Sequence, residues 1–262
     1  MIRSLYTAAT GMSAQQKNID NTANNLANVN TAGFKKGRII FEDLMYQELK
    51  AAGSLTATGI LHPTGIQTGM GVNVVAIEKI FSQGSFQYTE NPLDIMIEGD
   101  GFFQIQLPDG TIGYTRQGAF KIDANGDIVT PQGYLLFPNI NIPENALELS
   151  ISQDGIWSVY LPGDIQETEL GQIEITRFIN PAGLKSLGEN LYIESGASGA
   201  PQVSIPATDG FGALRQFFLE MSNVNVVDEM VNMITAQRAY EMDSKAIQTS
   251  DEMLQIANGL KR

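Results

Sequence analysis

Leu5, Met12, Ile19 and Leu26 recur at every seventh position, and Ile2, Ala9, Gln16 and Ala23 occupy the companion seam row. That period predicts an α-helix from about Ser4 to Asn28, with Gly33, after Asn30-Thr31-Ala32, as its stop. Val226, Met233, Tyr240, Ile247 and Leu254 repeat the pattern near the other end and predict a second, longer helix from about Val226 to Asn258. Asn225 and Asp228 read as its N-cap and dipole partner. Its companion row fades from Met230 through Gln237, Ser244 and Asp251 to Asn258, so this seam is only half apolar. A free two-stranded coiled coil is rarely so poor.

The period changes between the helices. Short runs such as FFQIQL and YLLF alternate with the turn signals Pro108-Asp109-Gly110, Ala124-Asn125-Gly126, Pro131-Gln132-Gly133 and Gln153-Asp154-Gly155. This rhythm predicts an antiparallel β domain of hairpins with the sole tryptophan, Trp157, in or near its core. Residues 180–221, rich in Gly, Pro, Ser and Asn, read as loop-heavy. No period governs the stretch from about Tyr46 to Gly71. The expected class is α+β: paired, coiled-coil-like terminal helices forming a discontinuous domain, a central antiparallel all-β domain, and an extended connector. The expected bounds are 1–33 and 222–262 for the helical core, 34–75 for the connector and 76–221 for the β domain.

Charge sharpens this division. Residues 76–221 carry six basic and nineteen acidic side chains, equal to the whole net charge of −13, while both ends are nearly neutral. From Ser4 to Asn28 the only charges are Lys17 and Asp20, and Asn18, Asn21, Asn24, Asn25 and Asn28 stand where a solvated helix carries Glu, Lys and Arg. One reading is a weak helix with a polar solvent face. The sharper one is that this face is buried against other chains, because amides donate and accept there without the desolvation cost of charges. The apolar seams are also too sparse to offset the entropy of ordering some sixty terminal residues, so the helices need neighbours.

Chemistry is bounded by what is missing. With no Cys and one His, His62, the chain offers no disulfide framework, thiolate zinc site, Cys nucleophile or multi-His metal site. The acidic balance argues against nucleic acid, and no apolar run reaches the length of a bilayer span. The start of the chain lacks the continuous apolar stretch of a cleaved signal peptide. Phosphate-loop, dinucleotide, nucleophile-elbow and zincin motifs are absent. Asp123-Ala124-Asn125-Gly126-Asp127 departs from calcium-loop spacing and reads as a hairpin turn. Asp94, Glu98 and Asp100 resemble a hydrolytic carboxylate set only by proximity in an acidic domain. No catalytic, cofactor or metal residue is therefore assigned.

The run Asn24-Asn25-Leu26-Ala27-Asn28-Val29-Asn30-Thr31 with Gly33-Phe34-Lys35 resembles the signature of bacterial flagellar axial proteins, the rod and hook components. The C-terminal run SNVNVVDEMVNMITAQRAYEMDSKAIQTSDEML is similar to the same family. FEDL with Tyr46-Gln47, GDGFF, YTRQGAF and SLGENLYIE point to its rod members, and the likeness covers essentially the whole chain. The resemblance implies a structural subunit, not an enzyme. Subunits would polymerise into a rigid helical tube that crosses the periplasm to the outer membrane, exported through the flagellar type III channel without a cleaved signal peptide. The implied partners are further copies, proximal rod proteins, the hook protein, the P-ring and L-ring proteins and the export apparatus, without membrane insertion. The implied role is to transmit torque for motility and serve as an export conduit. The expected assembly residues are Leu5, Met12, Ile19, Asn24, Asn25, Leu26, Asn28, Asn30, Gly33, Phe34, Val226, Met233, Tyr240, Ile247 and Leu254. The rival readings are a proximal rod or short hook-type axial protein, a cell-wall glycan-binding or hydrolysing protein, and a soluble coiled-coil adaptor.

Overall fold

The computed structural model describes residues 2–51, 53, 64–163 and 166–259. His62 and the side chain of Ile2 lie outside them. The chain divides into two compact units, one comprising Met1–Leu26, Gly37–Glu78 and Asn225–Arg262, the other Ala27–Lys36 and Lys79–Val224.

In the first unit, helix α1 spans Ile2–Ala27 and helix α2 spans Val226–Gly259. Asn225 caps α2 as expected: its side-chain oxygen accepts from the Val227 N–H at 3.0 Å, and Asp228 and Glu229 fill the first turn. The helices pair antiparallel. Ser4 Oγ lies 3.3 Å from Ser250 Oγ, and Asn25 Nδ2 donates to Glu229 Oε2 at 3.2 Å. Segment 34–75, expected as a connector, contains strands. Gly37–Asp43 pairs with Val72–Lys79, and Tyr46–Lys50 pairs antiparallel with Ile66–Gly69.

The second unit is antiparallel β structure. Phe102–Gln106 runs through a nine-stranded sheet between Ile112–Thr115 and Leu135–Phe137. Alternation sends Phe103 and Ile105 into a core with Ile95, Phe120, Leu136 and a fully buried Trp157. Phe102 enters a second, aromatic cluster with Tyr114, Phe178 and Tyr192, whose rings meet edge to face. The four expected turns form. Gly110, Gly126, Gly133 and Gly155 each take positive φ and donate to a carbonyl three residues back.

Residues 180–221 are loop-heavy as expected, with more than half of them outside helix and strand, yet short strands thread the segment. They hold the strands Lys185–Gly188, Leu191–Ile193, Gln202–Ser204, Ala213–Gln216 and Phe218–Glu220. Four of these pair with strands far away in sequence: Leu191–Ile193 with Ile112–Thr115, Gln202–Ser204 with Ile175–Arg177, Ala213–Gln216 with Ile95–Glu98, and Phe218–Glu220 with Phe86–Tyr88. Strands this short have little period of their own and are fixed by distant ladder partners.

Candidate assembly interface

The helical seams differ from the expectation by one residue. Leu5, Met12, Ile19 and Leu26 are half-buried as one row, but the inner companions are Ala8, Gln15 and Thr22, while Ala9, Gln16 and Ala23 are exposed. On α2, Met233, Ile247 and Leu254 are half-buried and Val226 and Tyr240 exposed. Their inner companions are Glu229, Ala236, Asp243 and Ser250, not Met230, Gln237 and Asp251, which face outward. A seven-residue repeat accommodates a companion three or four positions on, and here three is used on both helices. The inner rows are small or polar throughout.

The asparagines do not form one outward face. Asn25 is 1% exposed. Its carboxamide exchanges two hydrogen bonds with Gly37, donating to the carbonyl at 3.0 Å and accepting from the N–H at 2.9 Å, besides its bond to Glu229. Asn21 donates to the same carbonyl at 2.8 Å. These amides are occupied inside the chain. Asn24 and Asn30 are exposed and Asn28 is half-buried.

Part of what α2 turns outward is an apolar stripe. Val227, Met230, Val231 and Ile234, spaced i, i+3, i+4 and i+7, are 52–67% exposed, and Met242, Met253 and Ile256 continue the exposed apolar surface.

In the second unit, the segment after α1 is stitched down residue by residue. Ala32 O accepts from Asn190 Nδ2 at 3.1 Å, Gly33 N–H donates to Glu220 O at 2.8 Å, and Lys36 N–H donates to Asn223 Oδ1 at 2.8 Å. Gly33 is not the stop of α1, which ends six residues earlier. With φ +72°, it lets the chain lie against Arg116 and Gln117, where a Cβ would come 2.6 Å from the Gln117 nitrogen. The Phe34 ring lies under the Lys79 ammonium, 4.5 Å from its centroid.

Lys35 is wholly buried. It donates to Glu220 Oε1 at 2.6 Å and to Ser82 O at 2.8 Å. Arg116 Nε stands 3.0 Å from Glu220 Oε2, and its guanidinium donates to the carbonyls of Gly99 and Gly101. Two cations thus share one buried carboxylate. Burial pushes the Lys35 ammonium below its ordinary value, a shift Glu220 opposes and Arg116 reinforces. Burial alone would raise the Glu220 carboxyl, but Arg116 and Lys35 outweigh it and hold it below the usual range. No local pattern marks this clasp, whose one signal in the sequence is a lone charge close to aromatic and aliphatic residues in each of YTRQGAF and FFLE.

Two of the three carboxylates of the glycan reading have other partners. Asp94 accepts from Asn91 Nδ2 at 2.8 Å, and Glu98 pairs with Arg215 at 2.9 Å. Among the described residues no helix is long and apolar enough to cross a membrane.

The two terminal segments of the chain pair as antiparallel helices, and the β structure lies between them in sequence. The chain belongs to the flagellar basal-body rod protein family. Residues 5–35 match the family model "Flagella basal body rod protein", 96–159 match "Flagellar hook protein FlgE/F/G D1 domain", and 215–260 match "Flagellar basal body rod FlgEFG protein C-terminal". Over 264 residues, all of both chains, it is 55% identical to the flagellar basal-body rod protein FlgG of Borreliella burgdorferi. It is 51% and 50% identical to the proteins of the same name from Buchnera aphidicola subspecies Schizaphis graminum and Acyrthosiphon pisum, with 97% of this chain and 98% of theirs aligned.

Proposed function

We propose that this protein is a structural subunit of the flagellar distal rod, polymerising through its terminal helices into a rigid helical tube. The tube passes torque from motor to hook and serves as an export conduit. In this reading α1 and α2 form a coiled-coil-like core, residues 76–221 form the outer layer, and segment 34–75 makes lateral contacts that resist bending. The neighbours are proximal rod proteins, the hook protein, the P-ring and L-ring proteins and the export apparatus.

The observation that carries the proposal is the outward stripe Val227–Met230–Val231–Ile234. The side of α2 facing α1 carries Glu229, Ala236, Asp243 and Ser250 beside half-buried Met233, Ile247 and Leu254, while a contiguous apolar stripe stays exposed, as on a helix that has a further partner to meet. Burying such a side chain against a neighbour is worth about 1.5–3 kcal/mol, repeated in every copy along the tube. Shifting one subunit would strand these groups, which is how a dehydrated core resists sliding.

The test is a V231D/I234D double variant expressed in place of the wild-type chain, with swimming and rod length in isolated basal bodies as readouts. Loss of rods with the β domain still folded is the expected result. Normal rods and swimming would overturn the proposal.

A further inference from the structure

We infer that Gly11 and Asp243 set the register of the α1–α2 pair and thereby fix which outward residues of the two helices lie side by side. Positions 4, 11 and 25 of α1 face 250, 243 and 229 of α2. A step of seven or fourteen residues along one helix matches the same step backward along the other, so the chain has heptad-related alternatives to reject. One heptad of slip moves a helix about 10 Å along its partner.

The Asn25–Glu229 bond cannot reject them all. Sliding by one heptad brings Asn18 opposite Glu229, and Asn18 offers the same carboxamide. Ser4–Ser250 discriminates weakly, because the Ser250 hydroxyl already donates to Ala246 O at 2.7 Å and leaves only an acceptor. Asp243 is different. Its carboxylate lies against the bare backbone of Gly11, where a Cβ would sit 2.6 Å from Oδ2 and 3.2 Å from Cγ. Residues 4, 11, 18 and 25 are Ser, Gly, Asn and Asn. Slip in one direction places Ser4 against Asp243, and slip in the other places Asn18 there. Either brings a Cβ into the space the carboxylate fills, so that Asp243 has to turn its carboxylate out of the seam. Gly11 is the one residue of the row that admits Asp243, and polar groups in a helix seam are an established means of specifying register.

The native chain has no cysteine, so disulfide trapping reads the register directly. The S4C/S250C variant of the full chain reports the observed register, and S4C/A257C reports a one-heptad slip. Oxidation traps the hairpin whenever the helices pair, and far-ultraviolet circular dichroism under the same conditions establishes that they are helical, so the ratio reports the register of the pair and does not depend on the assembly reading. The 4–250 disulfide is expected to exceed 4–257 at least tenfold. G11A should cut the 4–250 yield at least threefold, and D243A in the same chain should restore it, since the atoms nearest the added methyl belong to the Asp243 carboxylate. Both substitutions raise helix propensity, so a loss cannot come from weaker helices. Comparable yields of the two disulfides, a G11A chain that links like wild type, or failure of D243A to restore the link would each overturn the inference.

Discussion

Asn25 and Gly37 exchange hydrogen bonds in both directions: the Asn25 carboxamide accepts from the Gly37 N–H and donates to the Gly37 carbonyl. A side-chain amide thus does for the strand Gly37–Asp43 what a neighbouring strand would do, and it pins that strand to the inner side of α1. Asn25→Asp keeps the acceptor but loses both donations and sets a carboxylate near Glu229. The helical unit should lose about 2–4 kcal/mol, from the two lost donations and repulsion between buried acids, with Asn21 still donating to the Gly37 carbonyl. Hydrogen exchange should show faster opening of α1 and of 37–43, with protection at 102–106 unchanged.

Glu220 holds together three stretches distant in sequence, through Lys35, Arg116 and the Gly84 N–H, which donates to its carboxylate at 3.0 Å. Glu220→Gln strands two buried cations and should cost about 3–5 kcal/mol. Lys35→Met leaves the Arg116 pair in place and should cost less, about 1–3 kcal/mol. Denaturant midpoints of the β-domain transition check the order. Equal losses would mean that the carboxylate is not the hub.

The same carboxylate predicts acid sensitivity. Its folded pKa is depressed, so its contribution is fully present above the ordinary carboxylate value of about 4 and is lost as pH falls through the depressed value. Thermal unfolding between pH 7 and pH 2 should show a falling acid limb. That limb should be shallower in the Glu220→Gln variant.

Leu26→Asp or Ile19→Asp should abolish rod assembly while leaving the β domain folded, because each seam position is half-buried and a charge there carries a desolvation penalty. Basal bodies examined by electron microscopy give the assembly readout, and near-ultraviolet circular dichroism of Trp157 the fold readout.

The terminal helices should exchange amide protons much faster than the β core in dilute chain and become protected on polymerisation. Their mutual seam buries mainly small and polar groups, so it adds little apolar stabilisation of its own. Uniform protection across the dilute chain would show that the helical pair stands alone.

The sequence by itself determined both helices to within two residues of their ends, because a seven-residue apolar period and an Asn225 cap are local signals. It determined the Asn-Gly and Asp-Gly turns for the same reason, since a left-handed backbone favours glycine. Only the tertiary structure decided which flank of each seam faces inward. Ala8 and Ala9, or Glu229 and Met230, are equally compatible with the period, and the choice falls to the partner helix, with Gly11 under Asp243. Only the tertiary structure gathered Lys35, Arg116 and Glu220, and only it turned 202–204, 213–216 and 218–220 into strands. Such groups are held by ladder bonds and charges from residues far along the chain, and no local pattern carries that information.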